Sequence, residues 1–206
     1  MTKIFIEAKN NKTPEYHFLQ TILNTFFPKT EVKFMFMDGI GNLYNETILN
    51  QIKLAQEIGE QVIVVADADA KEKGTGYEKR KAEFENGMTT HNVSFQYFLY
   101  PNNQNDGDVE ELMENTARRD LHSTFFDCFE DYERCVSGAK DELGEPKYSV
   151  PNLKGKLHTY MAAQKLPRKF WNRLGSGDWL FDNPNYWDLY VDALQPLKKF
   201  FAANLK

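Results

Sequence analysis

Runs of mostly apolar residues alternate, along the first half of the chain, with segments in which apolar residues recur at helical spacing. The apolar runs cover residues 4–6, 32–37, 62–66 and 94–100, and each is short enough to be a buried strand. Helical spacing follows the first two runs, and a charged segment over residues 77–85, closed near Gly87, follows the third. This βαβαβαβ order predicts an α/β fold with three layers, a Rossmann-like, mostly parallel sheet with helices on both faces and right-handed crossovers.

The second half of the chain, from Asp108 onward, has helical periodicity. One predicted helix spans residues 120–139, and its expected apolar side consists of Leu121, Phe125, Cys128, Phe129 and Tyr132. Further helices are expected over residues 153–163 and from Asn183-Pro184, with a restart at Pro196. We therefore divide the chain into an α/β domain, residues 1–116, and a helical C-terminal extension, residues 117–206, packed on it. The many aromatic residues of the extension are interpreted as a core for docking rather than as a base-stacking platform.

The composition, with 41% hydrophobic and 27% charged residues, is that of a soluble globular protein. No apolar run approaches the roughly 20 residues of a membrane helix, and the chain begins without a secretory signal. We therefore expect a cytoplasmic, bacterial protein with no membrane partner. The net charge of −5 is uneven, since residues 61–150 carry 10 Lys or Arg against 19 Asp or Glu, whereas residues 151–206 carry 9 against 4. Such a basic tail suits a phosphate backbone or forms a solvated helix face.

Acidic residues follow two of the predicted strands. Glu7 comes directly after the first strand, and Asp67 and Asp69 come at the end of the third. The carboxyl ends of parallel strands meet at one edge of a sheet, and side chains two apart on an extended segment point the same way. Clustered carboxylates repel unless a proton or cation lies between them, and Mg²⁺ prefers such oxygen ligands. The pattern predicts a divalent-metal site acting on phosphate; the alternative is that each acid caps a turn or helix.

The loop after the fourth strand, residues 101–111, is also rich in Asn and acidic residues. Its acids, Asp106, Asp108 and Glu110, would face the same edge of the sheet. An EF-hand is excluded, because Met113 occupies the position of the bidentate glutamate. Asp108 with Glu111 three residues later is typical of a capping box. Metal support and helix capping both remain open for this loop.

Other polar clusters have simpler interpretations. Cys128, Cys135 and the four scattered histidines show no zinc-site spacing. The glycine pairs lack the rest of a dinucleotide fingerprint or P-loop and are interpreted as turns. Lysines and one arginine follow the acidic turn and form either a charged exposed helix or a phosphate contact: Lys71, Lys73, Lys79, Arg80 and Lys81.

Taken together, the acidic motifs resemble the TOPRIM superfamily, which includes topoisomerases, DnaG-type primases and the nuclease domains of the overcoming-lysogenization-defect (OLD) group. In that superfamily the first strand ends in Glu-Gly-x-x-Asp, and a later strand delivers Asp-x-Asp. The corresponding segments here are Glu7-Ala8-Lys9-Asn10-Asn11 and Asp67-Ala68-Asp69. Residues 101–111, 183–189 and 194–201 are similar to a small bacterial TOPRIM-like family. The chain is too short for a full topoisomerase or primase.

The resemblance implies a role for each matching residue. Glu7 would be a metal ligand or proton-transfer residue, and Asp67 and Asp69 would bind Mg²⁺ or Mn²⁺. Asp106, Asp108 and Glu110 would complete a second metal site, Lys154 or Lys156 would be the catalytic lysine that OLD-type nucleases use, and Asn11 and Asp38 would be further site residues. Ala8 and Asn11 depart from the motif, and the loss of the acid at Asn11 weakens cation binding.

The resemblance therefore implies a Mg²⁺-dependent nuclease, a hydrolase that cleaves phosphodiester bonds of nucleic acid with a metal-activated water. DNA is favoured over RNA as the partner, and both remain open. The alternative is a catalytically degenerate TOPRIM module that binds nucleic acid or a partner protein, with a homodimer as a further option. A receiver-like phosphoacceptor is disfavoured, because the Asp pair follows the third strand rather than the first.

Overall fold

A computed structural model of the protein describes residues 1–70 and 74–205. Its sheet contains four parallel strands in the order β2-β1-β3-β4, where the strands are β1 (Thr2–Ile6), β2 (Val32–Phe36), β3 (Gln61–Asp67) and β4 (Gln96–Tyr100). The predicted α/β class and parallel sheet are therefore confirmed. The α-helices of the described residues are α1 (Pro14–Phe26), α2 (Glu46–Glu57), α3 (Tyr77–His91), α4 (Val109–Thr116), α5 (Arg119–Gly138), α6 (Leu153–Ala162), α7 (Arg168–Gly175) and α8 (Gln195–Asn204).

Alternating side chains of the strands point to opposite faces of the sheet and build two separate cores. Ile4 and Ile63 face a core that also contains buried residues of α1, α4, α5, α6 and α8. Phe5 and Val64 face a second core with residues of α2 and α3. Helices on both faces give the three layers that the sequence predicts. None of the described helices is long and apolar enough to cross a membrane.

The strand order places a switch in direction between β1 and β3. From β1 the chain passes through α1 on one face to β2, and from β3 it passes through α3 on the other face to β4. The two connections diverge, so a crevice opens at the carboxyl edge between the two central strands. Ligands of open α/β sheets bind in this position.

The C-terminal helices share the core of the first face. Trp179, Phe181, Trp187 and Phe201 are buried in the same cluster as Ile4. The indole Nε1 of Trp187 donates a hydrogen bond to the carbonyl oxygen of Trp179 at 2.8 Å, which satisfies its polar atom in this apolar setting. The interpretation of the aromatic residues as a docking core is confirmed, while the domain boundary at residue 116 stays a prediction.

The expected apolar side of α5 is confirmed for Phe125, which is half-buried, and for Phe129, which is buried, but it is wrong for the other three residues. Leu121, Cys128 and Tyr132 are exposed, and the buried residues of this helix are Phe126 and Phe129. The backbone leaves helical geometry at His122, with φ −124° and ψ 29°. This kink separates Leu121 from the rest of the helix, so Leu121 does not share a side with the residues that follow.

The helix predicted from Asn183 is also wrong, and α7 was not predicted. Residues 183–191 form turns, in which Trp187 pairs with Ala117 and the amide of Asp188 donates to the carbonyl oxygen of Thr116. A short 3₁₀ helix, Asp192–Leu194, then leads into α8. The backbone hydrogen bonds of this segment are shared between its own turn, where the amide of Trp187 donates to Asn183, and the end of α4.

Gly87 does not end α3, which continues to His91 and closes at Asn92 in the left-handed conformation. The ring of Tyr44 lies against Gly87, and a Cβ built there would be 2.1 Å from Tyr44 Cζ. Tyr44 also donates its hydroxyl to the carbonyl oxygen of Phe84 and stacks on His91. A glycine is therefore required at position 87 because a side chain there would collide with Tyr44, and not because the helix ends there.

Replacing Gly87 with alanine should destabilise the protein, although the same change in an open helix is usually favourable. We expect the free energy of unfolding, measured by urea denaturation, to fall by about 1–3 kcal/mol because the methyl group collides with Tyr44. The matched control is Gly138→Ala at the end of α5, where a Cβ meets nothing within 4 Å. That control should be neutral or stabilising by up to about 1 kcal/mol. Equal effects at both positions would contradict the packing explanation.

Candidate functional site

The carboxylate of Glu7 joins three elements at the carboxyl edge of the sheet. Glu7 follows β1, and its Oε2 accepts a hydrogen bond from the amide of Asp67, the last residue of β3, at 3.3 Å. Its Oε1 accepts one from the amide of Ile40, in the turn after β2, at 3.2 Å. Asp67 Oδ1 accepts a hydrogen bond from the amide of Val109, the first residue of α4, at 2.9 Å. The structure thus brings Glu7 and Asp67 together in the switch-point crevice.

A third acid and a lysine complete this cluster. Glu110, in the first turn of α4, is buried, and its Oε1 lies 3.0 Å from Nζ of Lys154 in α6. Lys154 also forms an ion pair with Glu15 in α1. The cavity next to these groups has a volume of about 370 Å³, and its charged lining residues are Glu7, Lys9, Lys12, Glu15, Asp67, Glu110 and Lys154. We call this cavity the edge pocket.

Burial dominates the electrostatics of the three acids. It raises the pKa of Asp67 well above the ordinary aspartate value, and the neighbouring charges of Glu7 and Glu110 raise it further. Burial also raises the pKa of Glu7, partly offset by the amides of Asp67 and Ile40, and that of Glu110, partly offset by Lys154. Such a group of carboxylates is stabilised by a proton or by a cation. Acids with perturbed pKa values in a cleft are candidates for a functional site.

Lys154 carries a positive charge at neutral pH. Burial alone would lower the pKa of this lysine, but its contacts with Glu15 and Glu110 outweigh burial and raise the pKa to about 12. A lysine with this pKa does not act as a base near pH 7. Its role in the edge pocket is therefore electrostatic.

Asp69 is held by a separate ion pair. Its Oδ2 lies 2.8 Å from Nη2 of Arg80, and Arg80 also contacts Glu83 at 2.9 Å. The backbone of Asp69 pairs with Gly107 and has φ +61°, a left-handed value. The prediction that Asp67 and Asp69 point the same way assumed extended backbone, but β3 ends at Asp67. Asp69 consequently does not line the edge pocket.

Arg80 differs from its sequence-based interpretation as part of an exposed or phosphate-binding helix. It is only 9% exposed and pairs with acids of the protein. Lys71 and Lys73 of the same predicted cluster lie outside the described residues.

Asp106 and Asp108 both act as helix caps. Asp106 Oδ1 accepts a hydrogen bond from the amide of Tyr77, the first residue of α3, at 2.7 Å. Asp108 Oδ1 accepts one from the amide of Glu111 at the start of α4, at 3.2 Å. Neither residue lines the edge pocket. The capping interpretation is confirmed for this loop, and a second metal ion stays a prediction.

Three further predicted residues lie outside the edge pocket. Lys156 is buried against Phe126, and its Nζ lies 2.8 Å from Glu114. Asn11 is exposed, and Asp38 is an exposed residue whose carboxylate lies 3.8 Å from Nζ of Lys9. Asp38 belongs to the turn that supplies the Ile40 amide to Glu7.

Sequence reasoning missed several residues of the edge pocket. Lys9 and Lys12 belong to the segment that was examined only for its acids, and Glu15 was interpreted only as part of a helix start. That helix start is itself confirmed, since Thr13 Oγ1 accepts a hydrogen bond from the amide of Tyr16. A search for cations within a few residues of Glu7 would have found both lysines.

The donors of the edge pocket fit one divalent ion shared with a substrate. Glu7 and Asp67 are two adjacent carboxylates, and Mg²⁺ usually takes one or two carboxylates together with waters and substrate phosphates. Among the residues that the structure describes, no group of three or more His, Cys, Asp or Glu side chains is arranged to hold a metal ion. The site therefore suits an ion completed by a phosphate better than a cage made by the protein alone.

The raised pKa of Asp67 has a consequence for stability. The folded state holds the proton of Asp67 more tightly than the unfolded state does. The contribution of this proton to the free energy of unfolding is therefore fully present below about pH 4, and it is lost as the pH rises through the pKa of Asp67 in the folded state. Asp67→Asn keeps an acceptor for Val109 and removes the charge. Without a divalent ion, its free energy of unfolding at neutral pH should exceed that of the wild type by about 0.5–2 kcal/mol.

The measurement is urea denaturation between about pH 4 and pH 8, since the gain should be small at the acidic end and grow with pH. Asp127→Asn, on the exposed side of α5, is the matched control and should follow the wild type throughout. If Asp67→Asn is less stable than the wild type at neutral pH, the folded state of the wild type stabilises the ionised Asp67, contrary to this prediction.

One comparison with known proteins gives a match. The family model DUF3226, a protein of unknown function, matches residues 2–205, which include every residue of the edge pocket. No curated protein and no solved structure matches the chain. The chain belongs to the DUF3226 family of proteins of unknown function.

Proposed function

We propose that this protein is a Mg²⁺-dependent phosphodiesterase that cleaves nucleic acid, with DNA as the preferred substrate. One observation carries the proposal: Glu7 and Asp67 are adjacent, buried carboxylates with raised pKa values at the switch point of a parallel sheet. Such a pair costs stability in the absence of a ligand, and it occupies the position where α/β proteins bind their substrates. The TOPRIM-like order of the acidic motifs supports the same assignment.

In this proposal each residue of the edge pocket has a distinct task. Asp67 and Glu7 would hold the ion, which when bound polarises a phosphoryl oxygen and favours ionisation of a water molecule. The alternative role of Glu7 is to accept the proton of that water while Asp67 holds the ion, because the raised pKa of Glu7 lies closer to neutral than that of an ordinary glutamate. Lys154 keeps its charge and would balance the developing negative charge on the phosphate.

The lysines at the mouth of the edge pocket support an anionic substrate. Lys9 and Lys12 are exposed and line the same cavity as the two carboxylates. Acids inside and cations at the rim are the combination that a metal–phosphate complex requires, because the ion neutralises the acids and the lysines attract the phosphate. A site for a free metal ion alone would gain nothing from these lysines.

A second candidate function is favoured by the ion pair between Asp69 and Arg80. This pair withdraws one acid of the Asp-x-Asp motif from the edge pocket, and Asn11 supplies no charge. Fewer free carboxylates weaken the affinity for a cation. The corresponding proposal is a degenerate module that binds nucleic acid or a partner protein without cleaving it.

Cleavage is tested with supercoiled plasmid and single-stranded DNA in the presence of Mg²⁺ or Mn²⁺. The wild type should produce nicked product, and Asp67→Asn should produce none because a metal ligand is lost. Glu7→Gln should lower the rate by about 10²–10⁴, the contribution typical of a proton-transfer residue. Asp127→Asn serves as the control and should cut at the wild-type rate. Cleavage that persists in Asp67→Asn would exclude this site as its source.

Metal binding separates the two candidate functions without requiring any cleavage. Titration calorimetry of the wild type with Mn²⁺ should give measurable heat, with an affinity that increases from about pH 5 to pH 7.5 because the ion competes with protons on Glu7 and Asp67. Asp67→Asn should lower the affinity at least about tenfold. A wild type that gives no heat with either Mn²⁺ or Mg²⁺ supports the degenerate module instead.

A further inference from the structure

Helix α7 differs from its neighbours because none of its residues is buried. Phe170 and Leu174, one turn apart, are half-buried and pack against the core of the first sheet face. Arg168, Lys169 and Trp171 are exposed, and the indole of Trp171 is 46% exposed. Arg168 lies one turn before Trp171 on the same side of the helix, whereas Lys169 Nζ lies 5.0 Å from the centre of the Phe170 ring. A large aromatic side chain among cations on the outer side of a packed helix has no role in the core. It is available to a ligand.

The sequence segment that contains α7 is basic. Residues 146–177 contain seven Lys or Arg and no Asp or Glu, in a chain whose net charge is −5. Arg173 is neutralised by Asp178 and Asp182, at 2.6 and 2.7 Å. Within the described part of the chain, no carboxylate lies within 4.0 Å of the charged groups of three other exposed cations, Lys165, Arg168 and Lys169. The surface formed by Lys165, Arg168, Lys169 and Trp171 is called the α7 surface.

The α7 surface adjoins the edge pocket. The turn after α7 packs so closely on the chain near Lys12 that a Cβ at Gly177 would be 2.8 Å from the carbonyl oxygen of Lys12. His17 Nε2 lies 3.2 Å from the carbonyl oxygen of Ser176 in the same turn. Lys12 lines the edge pocket. Helix α7 is only about 12 Å long, so its cations and those of the pocket rim belong to neighbouring surfaces.

We propose that the α7 surface binds single-stranded nucleic acid, with a base stacked on Trp171 and phosphates on Lys165, Arg168 and Lys169. This inference rests on the proposed nuclease function, because it specifies the form of nucleic acid that leads into the edge pocket. A single strand exposes the faces of its bases, whereas a duplex hides them in its own stack. An exposed indole beside cations without acidic partners offers both contacts that such a strand needs.

An anionic membrane would be a different partner for a basic helix with a tryptophan. Membrane-surface helices bury a continuous apolar side in the lipid. In α7 the apolar side, Phe170 and Leu174, is turned towards the protein core, so Trp171 is the one large apolar side chain of the helix left on the outside. The charge and the single aromatic ring therefore favour a polynucleotide.

The test is fluorescence anisotropy with a labelled oligo-dT of about 20 nucleotides, long enough for the usual site sizes, in buffer with EDTA. Trp171→Ala should raise the Kd about 5- to 100-fold, and Trp171→Phe should restore most of the affinity because a ring remains. Arg168→Ala with Lys169→Ala should reduce the slope of log K against log salt by about 1.4, since each phosphate contact contributes about 0.7.

Two variants outside the α7 surface are the matched controls. Tyr132→Ala removes an exposed ring from α5, and Lys53→Ala removes an exposed lysine from α2. Both should bind oligo-dT as the wild type does. Circular dichroism and urea denaturation of each variant exclude loss of folding as the cause of weaker binding.

Three outcomes would overturn the inference. The first is wild-type affinity in both Trp171→Ala and the Arg168/Lys169 double variant. The second is binding of a matched duplex that is as tight and as dependent on Trp171 as that of oligo-dT. The third is binding to vesicles that contain anionic phospholipid, if that binding depends on Trp171 and oligo-dT does not bind.

The experiment also distinguishes this inference from the proposed nuclease function, because EDTA removes any need for metal or cleavage. If Asp67→Asn and the wild type both lack Mn²⁺ heat while Trp171→Ala still weakens oligo-dT binding, the nuclease proposal fails and the α7 surface stands. If the wild type cleaves DNA but the affinity for oligo-dT does not depend on Trp171, the nuclease proposal stands and the proposal for the α7 surface is wrong.

Discussion

The hydrogen bonds accepted by the Glu7 carboxylate are the constraint on which the rest of the site depends. One oxygen takes the amide of Asp67 and the other takes the amide of Ile40, so a single side chain ties β1 to β3 and to the turn after β2. Asp67 extends the connection to α4 through the amide of Val109. Both acids are thereby fixed in the crevice between diverging crossovers. Their burial is a consequence of holding the edge of the sheet together, and that burial raises their pKa values.

The proximity of Glu7 and Asp67 could be predicted because it depends on topology alone. Four apolar runs separated by helical segments imply a parallel sheet, and the ends of its central strands must meet at one edge. The position of Asp69 could not be predicted in the same way. The strand ends at Asp67, two residues before Asp69, and Asp69 has a left-handed backbone and an ion pair with Arg80 of α3. The local sequence pattern does not specify which carboxylate will form an ion pair with Arg80.

Caps and phase shifts account for the other differences. Asp106 and Asp108 are residues of a type that binds metal ions. Their carboxylates instead accept hydrogen bonds from amides at the starts of helices, because those amides have no partner within the helix. In α5 a kink at His122 separates Leu121 from the side that carries the buried residues Phe126 and Phe129, and periodicity taken over the whole helix does not reveal the kink. Around Trp187 the surrounding core determines a non-helical backbone. At Asp106 and around Trp187, contacts with residues far away in the sequence determine the local structure, whereas the cap at Asp108 is local.

Lys154 links the chemistry of the crevice to the arrangement of the helices. Its ammonium group bridges Glu15 in α1 and Glu110 in α4, so α6 is fastened to both through one charge. A phosphate that bound Lys154 would weaken these two ion pairs, and a cation bound beside Glu110 would take the place of the lysine. Leu157, Tyr160 and Met161 of the same helix are buried in the core, so α6 carries a charged end in the crevice on a firmly packed apolar body.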